Sequence, residues 1–261
     1  MSLNPSPSKN SAIGTLYLVP TPIGNLEDIT LRSIKILEFV DLILAEDTRN
    51  TIFLLKHLNI EKKVLAHHQH NEHSSAPEII KFLVLGKNIA LVSDAGSPGI
   101  SDPGYLLVRE CIQNNINIIA LPGATAFVPA LTASGLSSDK FVFEGFLPVK
   151  KGRQTRLLEL KEEERTMIFY ESPHRIIKTL EELVIHFGDK RMASLSREIS
   201  KIHEETVRGT LQEIINYFKI NTLKGEIVLC VAGAEKKEKK KKNKYGMEEN
   251  EEDEAEENYN D

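Results

Sequence analysis

Short apolar runs alternate with longer stretches of helical periodicity along most of the chain. The run GTLYLVPTP (14–22) reads as an apolar strand cut off by Pro20 and Pro22, because proline supplies no N–H to a strand ladder. In the stretch that follows, Leu31, Ile34 and the apolar residues of 37–40 return at three- and four-residue spacing, which predicts an amphipathic helix. The pattern then repeats. Strands are predicted at VDLILAEDT (40–48), VLAHH (64–68), NIALVSDAG (88–96) and NIIALPG (117–123), with helices NTIFLLKHLNI (50–60), PEIIKFLVLGK (77–87) and GYLLVRECIQNN (104–115) between them. Helices of this length between strands imply parallel pairing with crossovers packed on the sheet.

The second half has a different rhythm. ATAFVPALTASGL (124–136) reads as a connecting helix, and FVFEGFLP (141–148), TMIFYESP (166–173), RMASLSREIS (191–200), EETVRGT (204–210) and KGEIVLCVAG (224–233) read as strands. Helices are predicted at KKGRQTRLLELKEEE (150–164), HRIIKTLEELVIHFG (174–188) and LQEIINYFKI (211–220). The third and fourth of these strands leave no room for a helix between them, so they form a hairpin and this sheet is mixed. The expectation is two α/β domains, 13–125 with a mostly parallel sheet and 126–234 with a mixed one. A flexible, Ser/Pro/Asn-rich lead (1–12) precedes them and a charged, disordered tail (235–261) follows.

Charge refines this picture. Of 261 residues, 33 are basic and 38 acidic, a net charge of −5, but the tail holds a disproportionate share of the acids and the body is nearly neutral. The whole chain therefore shows no polyanion-binding surface by charge alone. The best local basic cluster is Lys150, Lys151, Arg153 and Arg156. Two cysteines, Cys111 and Cys230, are too few for a secreted disulfide framework and fit a reducing cytoplasm. The start of the chain has no apolar signal core, and no uninterrupted apolar stretch approaches a membrane span.

In a parallel α/β sheet, ligands gather where loops leave the carboxyl ends of the strands. Five such loops are dense in Gly, Pro, hydroxyls and acids: PTPIGNLED, AEDTR, HHQHNEH, SDAGSPGISDPG and LPGATA. Three Gly and two Pro in the twelve residues 93–104 let a backbone approach a ligand closely, while Ser101 or Asp102 followed by Pro103 also reads as a helix cap. Neither GxGxxG nor GxxxxGK[ST] occurs, which argues against a dinucleotide fingerprint and a P-loop. His67, His68, His70 and His73 crowd one loop with no cysteine near, so the loop reads as polar active-site lining, with no metal expected. In AEDTR, Asp47 or Thr48 can cap the next helix, and Glu46 and Arg49 exceed that need. FYESPHR (169–175) offers Tyr, Glu, His and Arg directly after a strand, with Ser172 as a candidate cap.

Taken in order and spacing, the segments at 15–51, HHQHNE, LVSDAGSPGISDPGYLLV, LPGATAFVPALTASGL, FVFEGFLP, IFYESPHR, REISK and KGEIVLCVAG closely resemble the ribosomal RNA small subunit methyltransferase I family, part of the tetrapyrrole methylase superfamily. The resemblance covers about 13–234. It implies an S-adenosylmethionine-dependent enzyme that methylates the 2′-hydroxyl of a cytidine ribose in 16S ribosomal RNA of the small ribosomal subunit, with the cofactor in a cleft between two α/β domains, as a homodimer. Carried over by position, cofactor contacts are implied at Pro22 and Gly24, at Ser93, Asp94, Ala95, Gly96, Ser97, Pro98 and Ser101, and at Pro122, Gly123, Ala124, Thr125 and Ala126. Across the cleft, Tyr170, Glu171, Leu195, Arg197, Gly225 and Glu226 are implied. A ribose hydroxyl is a poor nucleophile, so a group within reach must take its proton. The candidates are Asp47 and Glu46, with Arg49 for positioning, then Asn71 and Glu72. Two competing readings are a methylase of a small tetrapyrrole, which would want a more apolar pocket, and a catalytically silent RNA-binding or ribosome-assembly factor on the same fold.

Overall fold

A computed structural model of the chain describes residues 13–221 and 223–235. The lead at 1–12 and all but Glu235 of the charged tail lie outside the described residues. The first half is built from β1 (Thr15–Leu18), α1 (Leu31–Phe39), β2 (Leu42–Ala45), α2 (Thr48–His57), β3 (Val64–Ala66), α3 (Glu72–Val84), β4 (Ile89–Val92), α4 (Tyr105–Gln113) and β5 (Asn117–Ala120). Its five strands are all parallel, in the order β3-β2-β4-β1-β5.

Alternation along the strands explains the layers. Tyr17, Ile43, Ala45, Ala90 and Val92 point to one face and pack against Ile36 and Leu37 of α1 and Leu55 of α2. Leu16, Leu42, Leu44, Ile89 and Leu91 point to the other and meet Ile79 and Leu83 of α3 and Leu107 and Cys111 of α4. Strands β2 and β4 are buried on both faces, so they read as unbroken apolar runs.

The second half comprises α5 (Phe127–Ser134), β6 (Phe141–Phe146), α6 (Arg153–Leu160), β7 (Thr166–Glu171), α7 (Ile176–Phe187), β8 (Met192–Arg197), β9 (Glu205–Thr210), α8 (Leu211–Ile220) and β10 (Ile227–Val231). The sheet order is β6-β7-β10-β8-β9: β6 runs parallel to β7, and every other pairing is antiparallel. The mixed sheet and the β8–β9 hairpin match the sequence reading. Helices α6, α7 and α8 cover one face through Leu157, Leu180, Leu183, Ile214 and Phe218, and α5 covers the other through Ala130 and Leu131 against Ile168, Val228 and Cys230. The helix read as a connector thus belongs to this sheet's packing.

Three local expectations are corrected. Helix α3 starts at Glu72, not at Pro77, because Asn71 seeds an earlier turn: its carbonyl accepts from the Ser74 and Ser75 amides, and its side chain bridges the His68 amide and the Ala66 carbonyl. Helix α4 is capped by neither Ser101 nor Asp102; it begins at Tyr105, behind Gly104 at φ 143, with no side-chain cap. Arg153, expected on a basic surface, is buried. It shares the inward face of α6 with Leu157 and Leu160, donating to Glu182 (2.7 Å), to Thr179 Oγ1 (2.8 Å) and to the Pro148 carbonyl (3.1 Å).

Candidate active site

The strand order places the site. From β1 the chain crosses towards β2, and from the adjacent β4 it crosses the opposite way to β5, so the loops after β1 and β4 diverge and leave a crevice at the carboxyl edge. Those two loops are tied together just outside the sheet. Thr21 and Gly96 exchange backbone hydrogen bonds of 2.9 and 3.0 Å, and Thr21 Oγ1 donates to the Ser93 carbonyl. Ser97 Oγ donates to the Ala124 carbonyl at 3.1 Å, which joins the loop after β5 to the same floor. Gly96 holds φ 86, a left-handed conformation that glycine adopts without strain.

The opposite wall comes from the second sheet. Tyr170, at the end of β7, hydrogen-bonds to Thr125 across the crevice, and burial pushes its phenol above the ordinary value. Glu171 is buried and fully engaged: Thr179 Oγ1 and the Ser172 amide each donate to it at 2.8 Å, and Arg175 lies 3.4 Å away. Gly225 sits at φ 89 where a Cβ would lie 2.2 Å from the Glu198 carboxyl, and that carboxyl accepts from the Glu226 amide. Between these walls is a cavity of about 460 Å³. At the far rim Gly145, in the β6 bulge, makes room for Ser101 Oγ.

Charge within the cavity is uneven. Glu46, Asp94 and Asp102 all line one side. Burial, then the charge of Asp94, raises the Glu46 carboxyl, while His68 opposes the shift. Asp102 is pushed up to about 6, first by burial and then by Glu46, against a hydrogen bond from Ser93. Asp47 behaves oppositely. It caps α2 through the Arg49 amide and grips the Arg49 guanidinium, and those hydrogen bonds hold it down to about 2.

The structure brings most of the expected loops to this cavity, residue by residue with exceptions. Asp94, Ala95, Gly96, Ser97 and Ser101 line it from the first half, as do Thr125 and Ala126; Tyr170, Glu171, Gly225 and Glu226 line it from the second. Ser93 is buried beneath its loop, donating to the Gly96 carbonyl. Pro22, Gly24, Pro98, Pro122, Gly123 and Ala124 flank the lining without joining it. Leu195 points to the other face of its sheet, into the core against α7 and α8, and Arg197 is paired with Glu205 at 2.6 Å. Among the catalytic candidates only Glu46 faces the cavity; Asp47, Arg49 and Glu72 do not, and Asn71 is occupied by its turn. Sequence reasoning missed Ile23, Asp102, Phe146, Ile199 and Val228 as lining. Ile23 and Asp102 lie inside loops already flagged, whereas Phe146, Ile199 and Val228 follow only from how the halves meet.

A second hollow, also about 460 Å³, lies beside β6, where Glu144 and Arg156 form part of its wall. Phe146, more than half exposed, lines both hollows. Arg156 is taken up by Glu144 and Glu159 at 2.6 and 2.7 Å, so of the basic cluster only Lys150 and Lys151 are exposed without an ion pair among the described residues.

The fold and cleft define a class. The profile of the tetrapyrrole (corrin/porphyrin) methylases matches residues 15–215. A solved uroporphyrin-III C-methyltransferase from Thermus thermophilus, complexed with S-adenosyl homocysteine, superposes with a TM-score of 0.60 at 18% identity, over 83% of this chain and 97% of its own, a likeness of fold. More specific are curated relatives. The ribosomal RNA small subunit methyltransferase I of Synechocystis sp. (strain PCC 6803) is 53% identical over 223 residues, 85% of this chain and 80% of its own. Its counterpart in Escherichia coli O157:H7 is 48% identical over 234 residues, 88% and 82%. The chain belongs to the ribosomal RNA small subunit methyltransferase I family, within the tetrapyrrole methylases.

Proposed function

We propose that the chain transfers a methyl group from S-adenosylmethionine to the 2′-hydroxyl of a cytidine ribose in the 16S RNA of the small ribosomal subunit. The observation that carries the reading is the cavity of about 460 Å³ at the strand-order switch, lined by both halves, in a chain half-identical to small-subunit methyltransferases. The fit to the cofactor is physical. Gly96 and Gly225 hold left-handed conformations that bring bare backbone to the cleft wall, apolar Ile23, Ile199 and Val228 offer contact, and the volume suits a ligand of that size.

The bound cofactor supplies an activated methyl on a good leaving group. What remains for the chain is to hold the acceptor in line, exclude water and accept one proton. The loops of 94–97 and 125–126 form the floor, Tyr170 closes the far side, and the carboxylates Glu46 and Asp102 face the same space. Phe146 offers an exposed ring on which an unpaired base can stack. Lys150 and Lys151, exposed a few residues further along the chain, offer charge for the backbone phosphates. The halves 13–125 and 126–234 serve as two domains around the ligand, and the protein works as a cytoplasmic homodimer, both carried from the family resemblance. No helix of the described residues is long and apolar enough to cross a membrane.

The test is calorimetric titration with S-adenosylmethionine, then methyl transfer to small subunits from a strain lacking the modification. Binding with alkali-stable ribose label is the expected result. Binding without transfer points to another acceptor, and no binding overturns the enzyme reading. Sedimentation of the purified protein tests the dimer.

A further inference from the structure

Two loops from opposite halves are fastened to one another beside the cleft. The first follows β1, where Ile23 lines the cavity and Gly24 and Asp28 come after it. The second is the turn 198–204 between β8 and β9, where Ile199 lines the cavity and Ser200 and Lys201 come after it. The aliphatic stem of Lys201 lies over Gly24, and a Cβ at that glycine would collide with it. Ser200 Oγ donates to the Asp28 carboxylate. Each fastening therefore stands one residue from an apolar lining group: Gly24 beside Ile23, and Ser200 beside Ile199.

The head of Lys201 extends the fastening to a third segment. Its Nζ donates to Glu198 at 2.8 Å and to Glu226 at 3.2 Å, and Glu226 is itself on the cavity wall. The Glu198 carboxylate also accepts from the Glu226 amide, while the Glu198 amide donates to the Glu226 carbonyl. Burial disfavours the Lys201 ammonium, but the two carboxylates outweigh that effect and hold its pKa above the ordinary lysine value. At neutral pH it remains a cation, so it cannot take a proton from a hydroxyl.

The turn also carries a conformational cost. On either side of Ile199, Glu198 and Ser200 hold φ 52 and 69, left-handed conformations that residues with a side chain rarely adopt. Such strain persists only where surrounding contacts enforce it. Here those contacts are the ones to Gly24, Asp28 and Glu226.

We propose that Lys201 is a positioning residue for the methyl donor: as a clasp between the halves it fixes the separation of Ile23 and Ile199 and holds Glu226 on the wall, so that the cleft is preformed. The inference rests on the cleft being the donor site, as proposed above. A partly exposed ion pair adds little to folding stability, so the effect is felt in binding. With the clasp released, the binding-competent form is a smaller fraction of the folded protein, and apparent affinity falls by that fraction.

The experiment compares wild type, Lys201→Met, Lys201→Arg and Asp28→Ala. It reads S-adenosyl homocysteine affinity by calorimetry, donor KM and kcat for transfer to small subunits lacking the modification, and thermal melting. Lys201→Met keeps a stem to lie over Gly24 but has no charge for Glu198 and Glu226. It is expected to weaken product affinity and raise donor KM by about tenfold each, with kcat within about threefold of wild type. Lys201→Arg, which keeps the charge, should return affinity to within about threefold of wild type. Asp28→Ala changes an exposed residue of the first half, outside the second sheet, and should weaken product affinity by about fourfold. All three variants should melt within about 3 °C of wild type.

A Lys201→Met affinity within about twofold of wild type overturns the assignment, as does a kcat that falls with donor KM unchanged. So does an affinity loss accompanied by a drop in melting temperature of more than about 6 °C, which would make Lys201 a residue of the fold alone. Lys201→Arg no better than Lys201→Met, or Asp28→Ala as tight as wild type, also overturns it. A wild type that binds no S-adenosyl homocysteine overturns the donor cleft and the clasp together. A wild type that binds it but methylates no ribosomal RNA overturns the proposed acceptor, while the affinities still decide the clasp.

Discussion

At the scale of single residues, Arg153 is the instructive case. Four basic residues in seven positions look like a phosphate-binding patch, but helical phase puts Arg153 in line with Leu157 and Leu160, and only its head group finds polar partners. Removing it strands Glu182 and Thr179 in a nearly dry setting. Arg153→Ala should therefore destabilise the fold by about 3 kcal/mol, read by urea denaturation, with little change in RNA affinity once the protein is folded. The exposed neighbours make the opposite forecast. A Lys150→Ala, Lys151→Ala double variant should leave stability within about 0.5 kcal/mol. The slope of log affinity against log salt for single-stranded RNA should become shallower by about 1.4. An unchanged slope would remove this cluster from the RNA path.

At the scale of elements, α8 shows how local signals specify structure. Thr210 ends β9 and caps α8 in a reciprocal box: its hydroxyl accepts from the Glu213 amide while the Glu213 carboxylate accepts from the Thr210 amide. Thr210→Ala should cost about 1 kcal/mol by chemical denaturation and leave cofactor affinity unchanged. Signals of this kind are why the strands and helices could be read from the sequence: the apolar periods and the turn residues are local. Where the reading failed, the deciding contact lay elsewhere. Pro77 marks a helix start only if nothing upstream seeds a turn, and Asn71 does. Asp102 reads as a cap because Ser-Asp-Pro often is one, until the packing of Gly104 against Leu91 fixes a different entry to α4.

At the scale of the whole molecule, the site was half legible. Loops at the carboxyl ends of parallel strands announce a ligand edge, so 94–97 and 125–126 could be placed from pattern, but Phe146, Ile199 and Val228 reach the cavity only because two sheets meet there. That meeting has a measurable effect. A ligand touching both walls binds the folded state alone, so S-adenosyl homocysteine at a hundred times its dissociation constant should add about 2.7 kcal/mol of apparent stability. A thermal-shift series should show one sharper transition. Two transitions, with only the first-half one moved, would mean that the second wall contributes no binding.

The order of strands in the second sheet has a consequence for synthesis. β10 is the last strand described, yet it sits in the centre, pairing with β7 on one side and β8 on the other. Until residues 227–231 leave the ribosome, β7 and β8 wait as two open edges with no partner between them, and the hairpin of β8 and β9 is the only antiparallel pairing of that sheet that can form. A nascent chain halted before Ile227 would thus carry a finished first sheet and an unzipped second one. It should be read by chaperones and proteases as unfinished, however much of the cleft's floor is already in place.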